Sequence, residues 1–157
     1  MSGKDEVMYI AVQFSVFMVN KPGVLAQVLG EFARARINII AITMMDSVEQ
    51  GVMRVVFAAS QKAREVLSNL NMSYNETEVL CVNLANKSGA LAEVVEKLAK
   101  NHINIAYAYC TAGAKGGRTT GVLKVANVKK AMRVLQQNYR KDSKSRPVVR
   151  RSRASRK

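Results

Sequence analysis

Two short segments of the sequence carry residue types that can hold a small charged ligand. They are 20–23, Asn-Lys-Pro-Gly, and 86–89, Asn-Lys-Ser-Gly. Each precedes an apolar segment with helical spacing, and the unpaired backbone N–H groups at a helix N-terminus favour a carboxylate. Glycine lets a ligand approach the backbone, and an asparagine amide both donates and accepts hydrogen bonds. The same residues also have a purely structural interpretation as a helix cap and a turn.

Both segments belong to an internal repeat. Residues 20–26 reappear as 86–92, and the tripeptide Ile-Asn-Ile at 37–39 reappears at 103–105, both 66 residues later. Two separate matches at one offset indicate a duplication. Gly51 and Gly121 extend the match at an offset of 70, which predicts about four extra residues in one loop of the second copy.

Hydrophobic periodicity predicts the same elements in each copy. The first copy reads as strand 12–19, helix 24–33, strands 37–45 and 52–58, and helix 61–70. The second reads as strand 79–84, helix 90–100, strands 103–110 and 119–125, and helix 128–137. Pro22 would occupy the first helical turn. Segment 72–84 has neither Gly nor Pro, so the last strand of the first copy should pass directly into the second copy.

The predicted fold class is α+β, with two ferredoxin-like βαββαβ repeats packed side by side. Units this small bury little core alone, so the two should share a combined sheet with helices on one side. The first domain spans 8–76 and the second 77–137. The only candidate for the last strand of the second copy is 146–149, which Pro147 would confine to a sheet edge.

Charge is unevenly distributed along the chain. The formal net charge is +14, and residues 138–157 contain nine Lys or Arg and one Asp. This segment is poor in apolar residues and rich in like charge, which predicts a disordered basic tail. The tail could contact nucleic acid or another polyanion through counterion release.

Several classes of protein are excluded by composition. The sequence lacks an apolar run of about 18 residues and a secretory signal, so we expect a cytoplasmic protein with no membrane contact. No cluster of His, Cys or carboxylates suggests a metal site or a catalytic centre. We therefore expect no cofactor, no metal and no enzymatic activity.

Four sulfur-containing residues are assigned to the interior. Cys81 and Cys110 lie in apolar strands with no metal spacing and are expected to be buried thiols. Met44 and Met45 are expected to fill the core or the interface between repeats.

The motif Asn-x-x-Gly-x-Leu between the first strand and first helix, followed by Ile-Asn-Ile after that helix, resembles the ACT domain family. The sequence carries the motif twice, over about residues 8–137. It is most similar to stand-alone tandem ACT proteins of bacteria. The resemblance implies regulation by a small ligand, usually an amino acid, bound near the loop between the first strand and the first helix.

The resemblance therefore predicts ligand-binding residues in both copies. A site at the repeat interface would be built from the two loops, and backbone carbonyls near Asn38 and Asn104 would accept from the ligand ammonium group. The predicted ligand-binding residues are Asn20, Lys21, Pro22, Gly23, Val24, Leu25, Asn38, Ile39, Asn86, Lys87, Ser88, Gly89, Ala90, Leu91, Asn104 and Ile105.

Two alternative functions stay open from the sequence. One is nucleic-acid or polyanion binding through the basic tail, and the other is a ligand-free oligomerisation module, for which a homodimer is the simplest form. The βαββαβ plan is shared with RNA-recognition motifs, and Tyr107 and Tyr109 alternate along one strand and could face outward. The sequence lacks the Lys/Arg-Gly-Phe/Tyr run of those motifs, which argues against sequence-specific RNA binding.

Overall fold

The computed structural model describes residues 8–45, 50–111 and 118–144. The elements alternate as the repeat predicts. In chain order they are β1 (Met8–Val19), α1 (Val24–Arg34), β2 (Ile39–Met45), β3 (Gln50–Phe57), α2 (Ser60–Asn69), β4 (Tyr74–Ala85), α3 (Ala90–Lys100), β5 (Ile105–Cys110), β6 (Arg118–Val125) and α4 (Val128–Lys144).

All six strands form one antiparallel sheet in the order β2-β3-β1-β4-β6-β5. The two ferredoxin-like repeats predicted from the sequence are confirmed, and they share this sheet. The long strands β1 and β4 lie side by side at its centre. As predicted, the last strand of the first copy and the first strand of the second copy are one continuous strand, β4.

The four helices cover one face of the sheet, because alternate strand residues point toward them. Phe14, Val16 and Met18 of β1 pack in a core with Val28 and Phe32 of α1. Farther back on the same face of β1, Met8 and Ile10 join a second core. Its other members include Leu80 and Val82 of β4, Leu98 of α3 and Leu135 of α4.

The opposite face of the sheet, here called the inner face, is concave. Three strands lie between β2 and β6 in the sheet order, yet their Cα atoms approach within 8 Å. A third apolar cluster fills the curve, with Ala41, Val56, Val79, Cys81 and Val122 buried together. The curvature therefore buries the face that a flat sheet of this size would leave to solvent.

The first repeat takes its fourth strand from the start of β4, whereas the second repeat takes its fourth strand from the start of β1, in the other copy. Residues Met8–Ala11 of β1 pair with Val79–Val82 of β4, beside β6, and so occupy the fourth position in the second repeat. A local twofold axis passes through the Val12–Glu78 pair and relates the two halves of the β1–β4 pairing. The candidate strand 146–149 lies outside the described residues, and the position predicted for it in the sheet next to β4 is occupied by β1.

The strand register corrects one detail of the repeat. Gly51 pairs with Met18, and the repeat equivalent of Met18 is Leu84. Gly121 does not pair with Leu84 but with Val82, two residues earlier in the strand. The match between Gly51 and Gly121 is therefore wrong. The structural offset in β3 and β6 is 68, so the second copy has two extra residues in its loop, as the helical pair Ala63 and Ala131 also indicates.

Helix ends also follow the repeat. Arg36 and His102 have the same left-handed backbone, with φ of 54° at both, just after α1 and α3. Helix α4 continues to Lys144, past Gln137, where the sequence analysis placed its end. Among the described residues, no helix combines the length and the apolar character needed to cross a bilayer.

Candidate functional site

The loops before α1 and α3 adopt one conformation. Gly23 and Gly89 are the helix N-caps, and both are left-handed, with φ of 89° and 84°. Only glycine adopts this region without strain, which explains its recurrence. Neither asparagine therefore caps a helix, and Pro22 precedes the first helical turn instead of occupying it. Both sequence interpretations were wrong because the chain makes an extra turn before each helix.

The first turns of α1 and α3 have no side-chain cap. Helix α4 differs, because the Asn127 side-chain oxygen accepts from the backbone N–H of Lys130 at 2.9 Å. The N-terminus of α2 also lacks a side-chain cap, but its N-cap Ala59 is not left-handed. At α1 and α3 the N–H groups of the first turn therefore combine with a glycine backbone, an arrangement suited to an anion.

The space above both glycines is open. A Cβ added to Gly23 or Gly89 would meet no atom within 4 Å. Lys21 and Lys87 are exposed beside them. Asn20 and Asn86 are exposed too, and each already makes a polar interaction. A carboxylate could reach the backbone here without displacing a side chain.

A cleft of about 250 Å³ lies beside the first loop, lined by Asn20, Met44, Met45 and Gly51. Met44 and Met45 are 44% and 45% exposed, so the prediction that they fill the core or the repeat interface is wrong. The sequence analysis missed them as site residues. Both lie at the end of the edge strand β2, a position that the apolar pattern of the strand does not reveal.

The second predicted group of site residues lies at the other end of the helices. Asn38 and Asn104 are exposed beyond the C-termini of α1 and α3, about 16 Å from the N-terminal loops at 1.5 Å per residue. The Asn38 carbonyl accepts from the backbone N–H of Ala58 at 3.0 Å. Within one repeat, the structure therefore does not bring these residues together with the glycine loop.

The apolar residues predicted at the sites pack into the cores. Val24, Leu25 and Ile39 pack against the first core, and Leu91 and Ile105 against the second. Ala90 is buried, whereas Pro22 and Ser88 are exposed in the two loops. Val24, Leu25, Ala90 and Leu91 fix the starts of α1 and α3, whereas Ile39 and Ile105 begin β2 and β5.

The two loops do not meet. Strands β1 and β4 are antiparallel, and Asn20 follows the end of β1 while Asn86 follows the end of β4. The register separates them by about 50 Å along the strands. The prediction of a single site built from both loops of one chain is therefore wrong, because the twofold axis places the loops at opposite ends of the β1–β4 pair.

A polar cluster lies on the inner face. Gln13 is fully buried, its amide nitrogen donates to the Tyr107 hydroxyl at 2.8 Å, and its oxygen accepts from the Tyr109 hydroxyl at 3.0 Å. The Arg54 guanidinium lies 3.8 Å from the centre of the Tyr107 ring. Tyr107 and Tyr109 thus point into the curve of the sheet, and the prediction that they could face outward is wrong.

Burial raises three pKa values in and next to this cluster. The pKa of the Cys81 thiol rises from 9.0 to about 11, mainly because the group is desolvated. Burial and the neighbouring Cys81 raise the pKa of Tyr9 from 10.0 to about 12. Burial likewise raises the pKa of Tyr109. All three groups are neutral when protonated, so the fold favours their protonated forms.

We expect stability to fall in alkaline solution. A group whose pKa is raised by folding stabilises the fold fully below its unfolded pKa and loses that contribution as pH rises through the folded pKa. For Cys81 the window runs from pH 9.0 to about 11. The expected loss is roughly 2 kcal/mol, measured by urea unfolding across this range. Cys81→Ala should show a shallower decline, and equal slopes for the two proteins would contradict the assignment.

Other candidate reactive groups are dispersed. Cys81 is buried but Cys110 is exposed, so the prediction of two buried thiols holds only for Cys81. Within 8–45, 50–111 and 118–144, no three His, Cys, Asp or Glu residues are grouped to hold a metal ion. The loops before α1 and α3 are therefore the features with the most to offer a ligand.

Comparison with known proteins agrees with the repeat and the fold. The family model for an ACT domain pair matches residues 8–144. A crystal structure of a protein from Bacteroides thetaiotaomicron is 28% identical, with a TM-score of 0.76 over 85% of this chain and 92% of that chain. No curated protein matches the sequence.

Two further solved structures share the fold at lower identity. The ligand-free regulatory subunit of aspartate kinase from Thermus thermophilus is 16% identical, with a TM-score of 0.59 over 83% of this chain and 95% of that one. The regulatory subunit from Thermus flavus is 15% identical, with a TM-score of 0.54 over 85% and 97%. At these identities the likeness concerns the arrangement of strands and helices.

Proposed function

The chain belongs to the ACT domain family, and from this premise we propose that it is a regulatory protein that binds an amino acid and has no catalytic activity of its own. The observation that carries the proposal is the left-handed Gly23 at the uncapped start of α1, with open space above it. We also propose a cytoplasmic location, which rests on the sequence. Binding would bias a homodimer or another partner through its different affinity for two states.

The first loop suits the two charged groups of an amino acid. The carboxylate would accept from the N–H groups of the first turn of α1, next to Gly23, with exposed Lys21 adding positive charge. The Asn20 amide oxygen can accept from the ammonium group in addition to its present interaction. The backbone and these two side chains are sufficient to orient the ligand.

The cleft beside this loop favours an apolar ligand side chain. Met44 and Met45 line it, and thioether side chains adapt to apolar groups of varied shape. In the second repeat the equivalent positions are Cys110 and Thr111, which are smaller and more polar. We therefore propose that the first site takes a larger apolar amino acid, such as leucine or methionine, in preference to a charged one.

Thermal unfolding with individual amino acids tests the proposal. A ligand at about 100 times its dissociation constant should add about 2.7 kcal/mol, which is a shift of several degrees in a chain of this size. We expect leucine or methionine to give the largest shift, and aspartate, lysine and serine to give smaller ones. The absence of a shift with all twenty amino acids would favour a ligand-free oligomerisation module.

Substitutions at the first loop separate binding from folding. Gly23→Asn strains the backbone and should lower stability, but asparagine is the side chain that best tolerates positive φ, so the fold should persist, and the side chain should weaken binding at least tenfold by filling the space above the loop. Gly30→Ala on the same helix is the matched control, because a Cβ there also meets no atom within 4 Å. Unchanged affinity in Gly23→Asn by titration calorimetry would refute the site, and Met44→Asp should reduce binding of apolar ligands.

A further inference from the structure

Positive charge is concentrated in the last helix and the segment that follows it. Residues 128–157 hold twelve of the 25 Lys and Arg residues but one of the 11 acidic residues, a net charge of +11 out of +14. Residues 1–127 carry the remaining +3. Most of the net positive charge is therefore concentrated in residues 128–157.

Helix α4 separates its apolar and basic residues. Ala131 and Leu135 are fully buried under the sheet, and Val128 is almost fully buried. Lys129, Lys130 and Arg133 are exposed on the opposite side. The helical period places positions 140, 141 and 144, all Arg or Lys, on the same side of the helix as Arg133. The described backbone thus continues one basic face, defined by these six positions.

The acidic residues of the neighbouring helix α3 do not neutralise this basic face. Two ion pairs between described residues, Arg34–Glu31 and Arg64–Glu76, both lie on the first repeat. Helix α3, which packs beside α4, carries Glu93 and Glu96 but also Lys97 and Lys100, so it has no net charge. The neighbouring helix therefore does not offset the charge of α4.

We propose that the basic face of α4 binds the phosphate backbone of nucleic acid. A regular array of cations gains affinity by releasing counterions from a polyanion, without reading the bases. An anionic membrane is a poorer fit, because a helix that binds a membrane surface inserts its apolar face, and here that face is buried in the core. The partner is nucleic acid of any sequence.

The test uses the full chain and fluorescence anisotropy with a labelled DNA duplex and a labelled single-stranded RNA. Binding to at least one should be tight at about 50 mM salt and weaken steeply by about 200 mM. Lys129→Gln, Lys130→Gln and Arg133→Gln combined should lower the slope of log affinity against log salt by about 2.7, or about 0.9 for each phosphate contact. Stronger binding to one probe identifies the preferred nucleic acid.

A charge-matched control keeps the result specific to α4. Arg36→Gln, Lys62→Gln and Arg118→Gln remove the same charge from exposed positions scattered over the fold, and should leave the slope nearly unchanged. Equal slopes in the two variants would overturn the assignment to α4. Absence of binding to either probe at about 50 mM salt, or binding only to vesicles of phosphatidylglycerol, would overturn the nucleic-acid proposal itself.

Discussion

A chain that begins at Val12 is expected to lose the folded second repeat while it keeps the first. The deletion removes Met8–Ala11, the strand segment that pairs with Val79–Val82 and completes the second repeat. It also removes Met8 from the second core, where full burial of such a side chain is worth about 1.5–3 kcal/mol, and the partly buried Ile10, which contributes less. With the lost strand pairing, this approaches the whole stability of a typical domain.

Hydrogen exchange resolves this effect by region. Amide protection should fall in β5, β6, α3 and α4 and persist in α1, α2 and β3, since the two helix-side cores are separate clusters. A chain that begins at Met8 is the matched control and should behave as the full chain does, because it keeps every described strand pair. Equal loss of protection in both repeats would show that they fold as one unit.

Gln13→Ala is expected to lower the free energy of unfolding by about 3 kcal/mol. The substitution empties a fully buried site and leaves the hydroxyls of Tyr107 and Tyr109 without their partner. An unmade buried hydrogen bond costs about 1–3 kcal/mol, and the cavity adds to this. Because Gln13 lies on β1 and both tyrosines on β5, the loss would loosen the curvature that joins the first repeat to the second.

Denaturant unfolding of a mutant cycle measures this link. Tyr109→Phe alone should cost less than Gln13→Ala, and the two together should be clearly non-additive, since one hydrogen bond joins the pair. Combining Gln13→Met with Tyr107→Phe and Tyr109→Phe should recover most of the stability, because no polar group is then left unpaired. Simple additivity throughout the cycle would mean that the cluster contributes only by filling space.

The repeat in the sequence predicted most of the fold because its signals are local. Apolar spacing placed helix α3 at Ala90–Lys100, as observed, and the run without Gly or Pro predicted the continuous strand β4. The partner of Met8–Ala11 was not predictable in this way. Strand pairing between distant segments depends on register, and the sequence pattern of β1 is equally compatible with either neighbour.

The curvature of the sheet was the second feature that the sequence pattern could not predict. Tyr107 and Tyr109 read as one face of a strand, but whether that face is open depends on how far the whole sheet bends. The buried Gln13 is the clue in hindsight, because a glutamine between apolar residues of a central strand requires a partner. A single sequence cannot say that the partner comes from the other repeat.

The candidate site was predicted in part. The importance of Gly23 and Gly89 followed from their recurrence, and the structure gives the reason in their positive φ. Asn38 and Asn104 recur just as faithfully but lie at the far ends of α1 and α3, so recurrence alone does not establish proximity. Met44 and Met45 were missed because they lie at the end of the edge strand β2, and the position of a strand in the sheet is not visible in its own apolar pattern.

The strand segment that the first copy contributes to the second repeat limits how this duplication can evolve. Loss of the first copy would remove Met8–Ala11 from the sheet of the second, so the second copy depends on the first. The loops at Gly23 and Gly89 lie at opposite ends of the fold, so each can change independently of the other. Met44 in the first copy already corresponds to Cys110 in the second. We therefore expect the two repeats to be retained together, while the loops at Gly23 and Gly89 can acquire different ligand specificities.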